Sequence, residues 1–428
     1  MTIAARARLE PIGRKVRLSV PSVSTRVSPD CLASVLVRLI ASGAAVTRSE
    51  LIERTGLARS SITEALLMLE LAGVVKNHGV RPVAGRGRPA ELLGLNPAFG
   101  VVLVADLGAS RARISVHDAG QSVLGHEEFV ASVSRGPEKT IDELAVRFRT
   151  VLANLGVAPR ERLVMVIGMP GPVDPGQGVT VKPPIMPGWD DFPVAAALEA
   201  ELGCDVLCEN DVNLRALGEA RALPESQSPL LYIKVGTGIG GGLVTTNGEL
   251  YRGADGAAGD IGHVRVTAPQ HAECPCGNVG CLEAVAAVPS ILRSVQRIAG
   301  PNDEVPASIE ELFQAIRANN RLVVGQVREA AALIGEVVAD LVQAYNPARV
   351  VMGGSLTGVS DDLLTEARAV VYRRALPLAT RRLVITRPLL GTWSGTAGGL
   401  VVGQEHALTA ARIAPVLERV QSGLRRRH

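Results

Sequence analysis

Aromatic residues are scarce in this 428-residue chain: Phe, Trp and Tyr make up 3% of it, so its cores must be aliphatic. No uninterrupted apolar run approaches the roughly 18 residues of a membrane span. The arginine-rich start is followed by neither an apolar block nor a small-residue cleavage site. Both absences argue against a membrane or secreted protein and lead us to expect a soluble, cytoplasmic one. Cysteines number only six, and three of them, Cys274, Cys276 and Cys281, crowd into eight residues. That clustering suits metal binding better than a secreted disulfide framework. With 47% hydrophobic and 20% charged residues, 45 Gly and 26 Pro, the composition fits compact domains with many tight turns rather than disorder or fibre. The length predicts two or three domains.

Charge is unevenly distributed. Residues 1–97 hold 14 Lys and Arg against 7 Asp and Glu, a charge of +7, which leaves −4 for the rest of a chain whose net charge is +3. A basic head on a mildly acidic body points to a polyanionic partner for the head. Because six of those basic residues precede residue 27, a solvated basic tail is the alternative.

Residues 1–27 have no apolar periodicity and are expected to form a flexible basic arm. From Cys31 to Ala41 the residues Leu32, Val35, Leu36, Leu39 and Ile40 recur at helical spacing, and Gly43 closes the segment. Thr47 then offers a helix cap with Glu50 three residues on, and this short helix stops at Thr55-Gly56. A third helix starts at Arg59 or Ser60, faces Ile62, Ala65, Leu66 and Leu69 inward, and ends at Ala72-Gly73. Helix, glycine turn and helix follow the helix-turn-helix pattern. The start of the third helix presents Arg59, Ser60, Ser61 and Thr63 as candidate base or phosphate contacts. Strands at Val74–Lys76 and Ala90–Leu93 would flank a thin cationic wing carrying Arg81, Arg86 and Arg88, suited to backbone or minor-groove contact. The same helices and hairpin could also serve a protein contact.

From Phe99 strands and helices alternate. The apolar strand Val101–Ala105 leads into Asp106-Leu107-Gly108-Ala109-Ser110 and a second strand through Ile114–Val116, a place where nucleotide-handling folds put phosphate and metal. A second glycine cluster, Gly236-Thr237-Gly238-Ile239-Gly240-Gly241-Gly242, follows the strand Leu231–Val235. Its free backbone amides could approach an anion, or it could be a plain tight turn. Between the two lies Glu209-Asn210-Asp211-Val212-Asn213, at the carboxyl end of an apolar strand where ligands bind in open α/β sheets. Asp211 suits a general base and Asn210 a hydroxyl contact, with a solvated loop as the alternative. Downstream, His263 precedes Cys274, Cys276 and Cys281 in C-x-C-x4-C spacing. One His and three thiolates can enclose a structural zinc. Asp260 and Glu283, next to these ligands, are candidate sugar contacts or else surface carboxylates. The helical stretches Val323–Ala344 and Asp361–Arg374 read as core, and Arg425–Arg427 as a frayed tail.

Taken together, Asp106–Ser110, Gly168-Met169-Pro170-Gly171-Pro172-Val173-Asp174, Pro187-Gly188-Trp189, Glu209–Asn213, the second glycine cluster, Gly256–His263, the cysteine cluster and Val351-Met352-Gly353-Gly354 resemble the ROK family of repressors and sugar kinases. The resemblance implies an α/β chain: a winged helix-turn-helix over 28–97, then an actin-like (ribonuclease H-like) two-lobe sugar-kinase fold over 98–428. Lobe I would span about 98–212 with C-terminal helices of about 393–428, and lobe II about 213–392. It implies sugar contacts at Gly171, Asn210, Asp211, Asp260, His263 and Glu283, zinc ligands His263, Cys274, Cys276 and Cys281, and, if nucleotide binding is kept, phosphate contacts at Asp106, Gly108, Gly236, Thr237, Gly238, Gly240, Gly353 and Gly354.

Two departures stand out. Ala109, Ser110 and Arg111 replace the Gly, Thr and Lys that follow the first glycine in family kinases, so a methyl stands where backbone should meet phosphate. Asp260 replaces the usual Glu, one methylene shorter. The head, which family kinases generally do not carry, favours a transcriptional regulator of the repressor type. Its expected partners are operator DNA and a sugar or sugar-phosphate effector, and its expected assembly a homodimer or homotetramer. The alternatives are an ATP- and Mg²⁺-dependent kinase of a hexose or N-acyl hexosamine, with Asp211 as catalytic base, and a DNA-binding protein without a ligand.

Overall fold

The computed structural model describes residues 15–22, 29–81, 90–267 and 272–425. Its head begins with α1 (Pro29–Ser42), α2 (Arg48–Thr55) and α3 (Arg59–Leu71), followed by the antiparallel strands β1 (Val75–Arg81) and β2 (Ala90–Leu95). Thr47 and Glu50 make the expected capping box, and Gly56, at φ 66°, ends α2 in the left-handed region. Ile62, Leu66 and Leu69 of α3 are buried, as the helical spacing predicts.

The first sheet of the body contains β3 (Val101–Leu107), β4 (Arg111–Asp118), β5 (Val123–Val130), β6 (Arg162–Met169) and β9 (Val206–Asn210), in the order β5-β4-β3-β6-β9. Every residue of β3 is buried, as expected for a central strand covered on both faces. Leu103, Ala105 and Leu107 join the core made with α4 (Pro137–Leu155) and α5 (Val194–Leu202). Val102 and Val104 point the other way, towards α13 (Ser394–Ala407). A small ribbon, β7 (Val173–Asp174) with β8 (Val179–Thr180), lies between β6 and α5.

After α6 (Asp211–Ala222) comes the second sheet: β10 (Leu230–Val235), β11 (Ile239–Val244), β12 (Arg349–Gly353) and β13 (Val384–Thr386), in the order β11-β10-β12-β13. Leu231, Ile233 and Val235 share a core with α7 (Leu282–Ala286), α8 (Val288–Ile298), α9 (Ile309–Arg317), α10 (Arg321–Tyr345) and α11 (Asp362–Arg374). Leu230 and Tyr232 face α6 instead. The short α12 (Pro377–Thr380) follows α11, and α14 (Ala410–Arg425) ends the described chain.

Helices α6 and α13 cross at contact distance between the two sheets. Glycines make this possible: a Cβ on Gly218 would lie 2.1 Å from the Ser394 carbonyl oxygen, and one on Gly398 would lie 1.9 Å from that of Leu214. The lobe boundary expected near 212 therefore cuts α6, a helix that packs on the second sheet through Val212, Ala216 and Ala220.

The expectation of a flexible arm over 1–27 is corrected at residues 15–22, which lie against the body. Val16 and Leu18 are buried. The Arg17 guanidinium donates to the Ala220 and Leu223 carbonyls at the end of α6 and to Glu225. The Ser19 amide donates to Glu405. Two apolar side chains and a guanidinium that meets unsatisfied helix-end carbonyls hold this strap, and neither has a periodic sequence signature. The head also docks on α14, where Ile413 and Leu417 join a cluster with Leu36, Val37 and Leu39 of α1. Arg425 ends α14, and Arg426 and Arg427 lie outside the described residues.

Candidate functional site

The candidate cleft, where the family resemblance places the sugar, starts at the junction of β9 and α6. Asn210 caps α6: its Oδ1 accepts from the amides of Val212 (2.9 Å) and Asn213 (3.1 Å), while its Nδ2 donates to the Gly171 carbonyl (2.9 Å). The backbone at Gly171 has φ 93°, a conformation that glycine adopts without strain. Asp211, 1% exposed, receives the Lys234 ammonium of β10 at 2.5 Å and lies 3.8 Å from Arg215 Nε. Arg215, one turn further along α6, donates from Nη2 to both oxygens of Asp106 at 2.9 Å. Burial pushes the Asp106 carboxyl above its ordinary range, opposed by Arg215. The carboxylates Asp106 and Asp211 keep Arg215 charged despite its burial. A second pair joins Glu209, also buried, to Arg252 at 2.7 Å.

Both glycine hairpins form where the sequence predicts them. At the first, the Gly108 amide donates to the Arg111 carbonyl, and the carbonyls of Ala109 and Ser110 accept from Val133 and Ala131, which fixes the tip. At the second, Gly236 donates to the Gly238 carbonyl, Thr237 is exposed, and Gly240 packs on Val212. The Ile239 amide donates to Glu283 Oε2 at 2.9 Å, so a carboxylate of the chain occupies the place an anion would take. A Cβ on Gly238 would come within 2.5 Å of that same oxygen. Gly353 packs against the Tyr232 hydroxyl, and Gly354, at φ 102°, against the Val235 backbone.

Beside the second hairpin, His263, Cys274, Cys276 and Cys281 bring four donor atoms within 4.8 Å of one another. Cys276 and Cys281 sulfurs lie 3.7 Å apart, and Cys274 Sγ lies 3.5 Å from His263 Nδ1. Burial pushes the Cys274 thiol up to about 12, whereas a hydrogen bond from the Asn278 backbone brings Cys276 down to about 7. Crowded thiolates at such spacing need a cation to coexist, so this cluster could hold a metal ion. Asp260, exposed, lies 3.9 Å from His263 Nε2, the ring nitrogen turned away from the sulfurs.

In the head, Arg59, Ser60, Ser61 and Thr63 are all exposed at the start of α3, opposite its buried face. The wing strand β1 bulges between Asn77 and Val80, with Gly79 at φ 119°, and it ends at Arg81. Arg86 and Arg88 lie outside the described residues.

Sequence reasoning missed Arg215, Lys234 and Arg252, the cations that pair the cleft carboxylates. Lys234 did carry a signal: it is the lone charge in the apolar strand Leu230–Val235, and a charge in such a place needs a partner. Arg215 stands four residues after Asp211, the spacing at which helical side chains meet.

Residues 102–405, more than half of the chain, match the model of the ROK family, and residues 20–79 match the DprA winged helix domain. Among characterised relatives, the xylose repressor of Caldicellulosiruptor bescii is 26% identical over 353 residues, covering 80% of this chain and 87% of that protein. A glucokinase of Halalkalibacterium halodurans is 32% identical over 255 residues, covering 56% of this chain and 77% of the enzyme. The crystal structure of a ROK family transcriptional regulator, a homologue of the E. coli MLC protein, superposes with a TM-score of 0.74 at 22% identity, covering 92% of this chain and 99% of its own. At that identity the likeness speaks for the fold, head included.

Proposed function

The chain belongs to the ROK family, and on that premise we propose that it is a DNA-binding transcriptional regulator, a repressor, whose operator binding responds to a sugar in the cleft. The observation that carries this reading is the exposed polar start of α3, on a head whose apolar side is docked against the body. Arg59, Ser60, Ser61 and Thr63 would enter the major groove, and the wing with Arg81, Arg86 and Arg88 would follow the backbone. Two heads of a homodimer, or of a homotetramer, would match an inverted repeat. Residues 28–97 would be the DNA-binding unit and 98–428 the effector unit, working in the cytoplasm.

The sugar would lie against Gly171, Asn210, Asp211, Asp260, His263 and Glu283. Zinc fits the metal cluster: with Zn–S bonds of about 2.3 Å, tetrahedral coordination separates sulfurs by about 3.8 Å, and Cys276 and Cys281 are 3.7 Å apart. Held by His263, Cys274, Cys276 and Cys281, it would be structural, fixing Asp260 and Glu283 relative to the hairpin. Helix α6 runs from Asn210 and Asp211 in the cleft to the carbonyls that Arg17 grips. A sugar that prefers one lobe arrangement would thereby bias the strap and head; equal affinity for both arrangements would shift nothing.

The kinase alternative retains Asp211 and the second glycine hairpin, but both cleft carboxylates of that site are ion-paired within the chain. Selection of bound DNA by the purified protein at fixed salt, repeated with a sugar panel, tests the regulatory reading. A palindromic site whose occupancy changes with one sugar supports it. The absence of any specific site overturns it.

A further inference from the structure

Resting on the reading of the cleft as an effector site, we propose that Arg215 and Lys234 are built-in counter-ions that restrict it to an uncharged sugar, excluding Mg²⁺-nucleotide and phosphorylated sugars. Asp106 and Asp211 are 6% and 1% exposed and near enough for each charge to act on the other, Asp106 just before the first glycine hairpin and Asp211 at the start of α6. Two such carboxylates would ordinarily hold a divalent cation, which in turn would hold phosphate. Here each already has its cation. Arg215 Nη2 holds both Asp106 oxygens at 2.9 Å, and Lys234 Nζ holds Asp211 at 2.5 Å.

A metal ion entering this site would meet a guanidinium and an ammonium at short range, a like-charge arrangement that burial makes severe. A phosphate could recruit Arg215 or Lys234 only by stripping it from a buried carboxylate, leaving that charge uncompensated. Three further cations are engaged as well: Arg252 is bound to Glu209, and Arg111 and Arg113 to Glu128. The Ile239 amide is likewise taken, by Glu283. The charges left over are negative. Neither Glu283 nor Asp260 has a Lys or Arg in ion-pair range among the described residues. Sugar hydroxyls can donate to carboxylates without any counter-ion, so an uncharged polyol suits the site and an anion does not.

The test uses the full chain with its metal and needs no identified effector. Isothermal titration with Mg²⁺ and the non-hydrolysable nucleotide AMPPNP compares wild type with the double variant Arg215→Met, Lys234→Met. We expect the variant, its carboxylates freed, to bind the Mg²⁺-nucleotide at least tenfold more tightly than wild type. Equal affinity, or Mg²⁺-dependent ADP release by wild type, overturns the proposal. So does any sugar 6-phosphate that raises the melting temperature more than its parent sugar. If the double variant does not melt cooperatively, Lys234→Met alone, which removes the more exposed of the two cations, carries the same readout. Loss of operator binding or of any sugar response would count against the regulatory reading alone, since the nucleotide titration depends on neither.

Discussion

Arginine does opposite work in the head and in the cleft. On α3, Arg59 stands exposed at the helix start, with Ser60, Ser61 and Thr63 beside it. In the cleft, Arg215 is enclosed with Asp106 and Asp211, and Lys234 closes the other side of Asp211. An exposed cation is available to a polyanion, and its value there depends on salt. A buried cation is committed to its carboxylate, and removing either partner strands the other. Burial, not residue type, therefore separates the exposed arginine at the start of α3 from the arginine committed to Asp106.

The largest expected effect lies on the buried side. Asp106→Ala strands Arg215 and should lower stability by about 3–5 kcal/mol, measured by chemical denaturation. Adding Arg215→Ala should restore much of that loss, and a double variant no better than the single would show that the two do not act as a pair. On the exposed side, Arg59→Ala should leave the denaturation midpoint unchanged and weaken operator binding by about 1–3 kcal/mol in a titration at fixed salt. An altered midpoint with intact DNA affinity would reverse the assignment of the two regions.

A third contrast concerns pH. His117 is fully buried, and burial brings its pKa down to about 3, with His126 adding to the effect. The folded chain keeps this ring neutral while the unfolded chain protonates it below about 6.5, so stability is retained above that pH and lost as pH falls towards 3. The slope should reach about 1.4 kcal/mol per pH unit from this group. His117→Gln should flatten the acid limb of body unfolding by that amount; an unchanged slope would mean the ring is not held neutral. The smallest effect is local to the head. Thr47→Ala removes the side-chain half of the α2 capping box and should cost about 1 kcal/mol of head stability, with no change in any cleft measurement.

Helices α1, α2 and α3 were legible because their signals are local. Thr47 and Glu50 are three residues apart, and Ile62, Leu66 and Leu69 repeat at helical spacing. The strands around Asp106 and around Gly236 were legible for the same reason, as apolar runs that end in glycine. The cluster of one histidine and three cysteines was legible because three of its four donors fall within eight residues. The strap was not. Residues 15–22 look like the start of a basic tail, and what holds Arg17 is a set of carbonyls about two hundred positions away. Nor did any periodicity say that α14 would pack on α1 rather than on the lobes.

The sequence by itself determined the three helices and hairpin of the head, the two glycine hairpins of the body, the donor set of one histidine and three cysteines, and the polar start of α3, all of which arise from signals between near neighbours along the chain. Tertiary structure alone decided that Asp106 finds Arg215, 109 residues away, that Lys234 crosses from the second sheet to Asp211, and that the head packs on α14 while the strap before it grips the end of α6. Whether a carboxylate is free to take a metal or already neutralised depends on which cation the fold brings within about 3 Å, and no spacing along one chain records that distance.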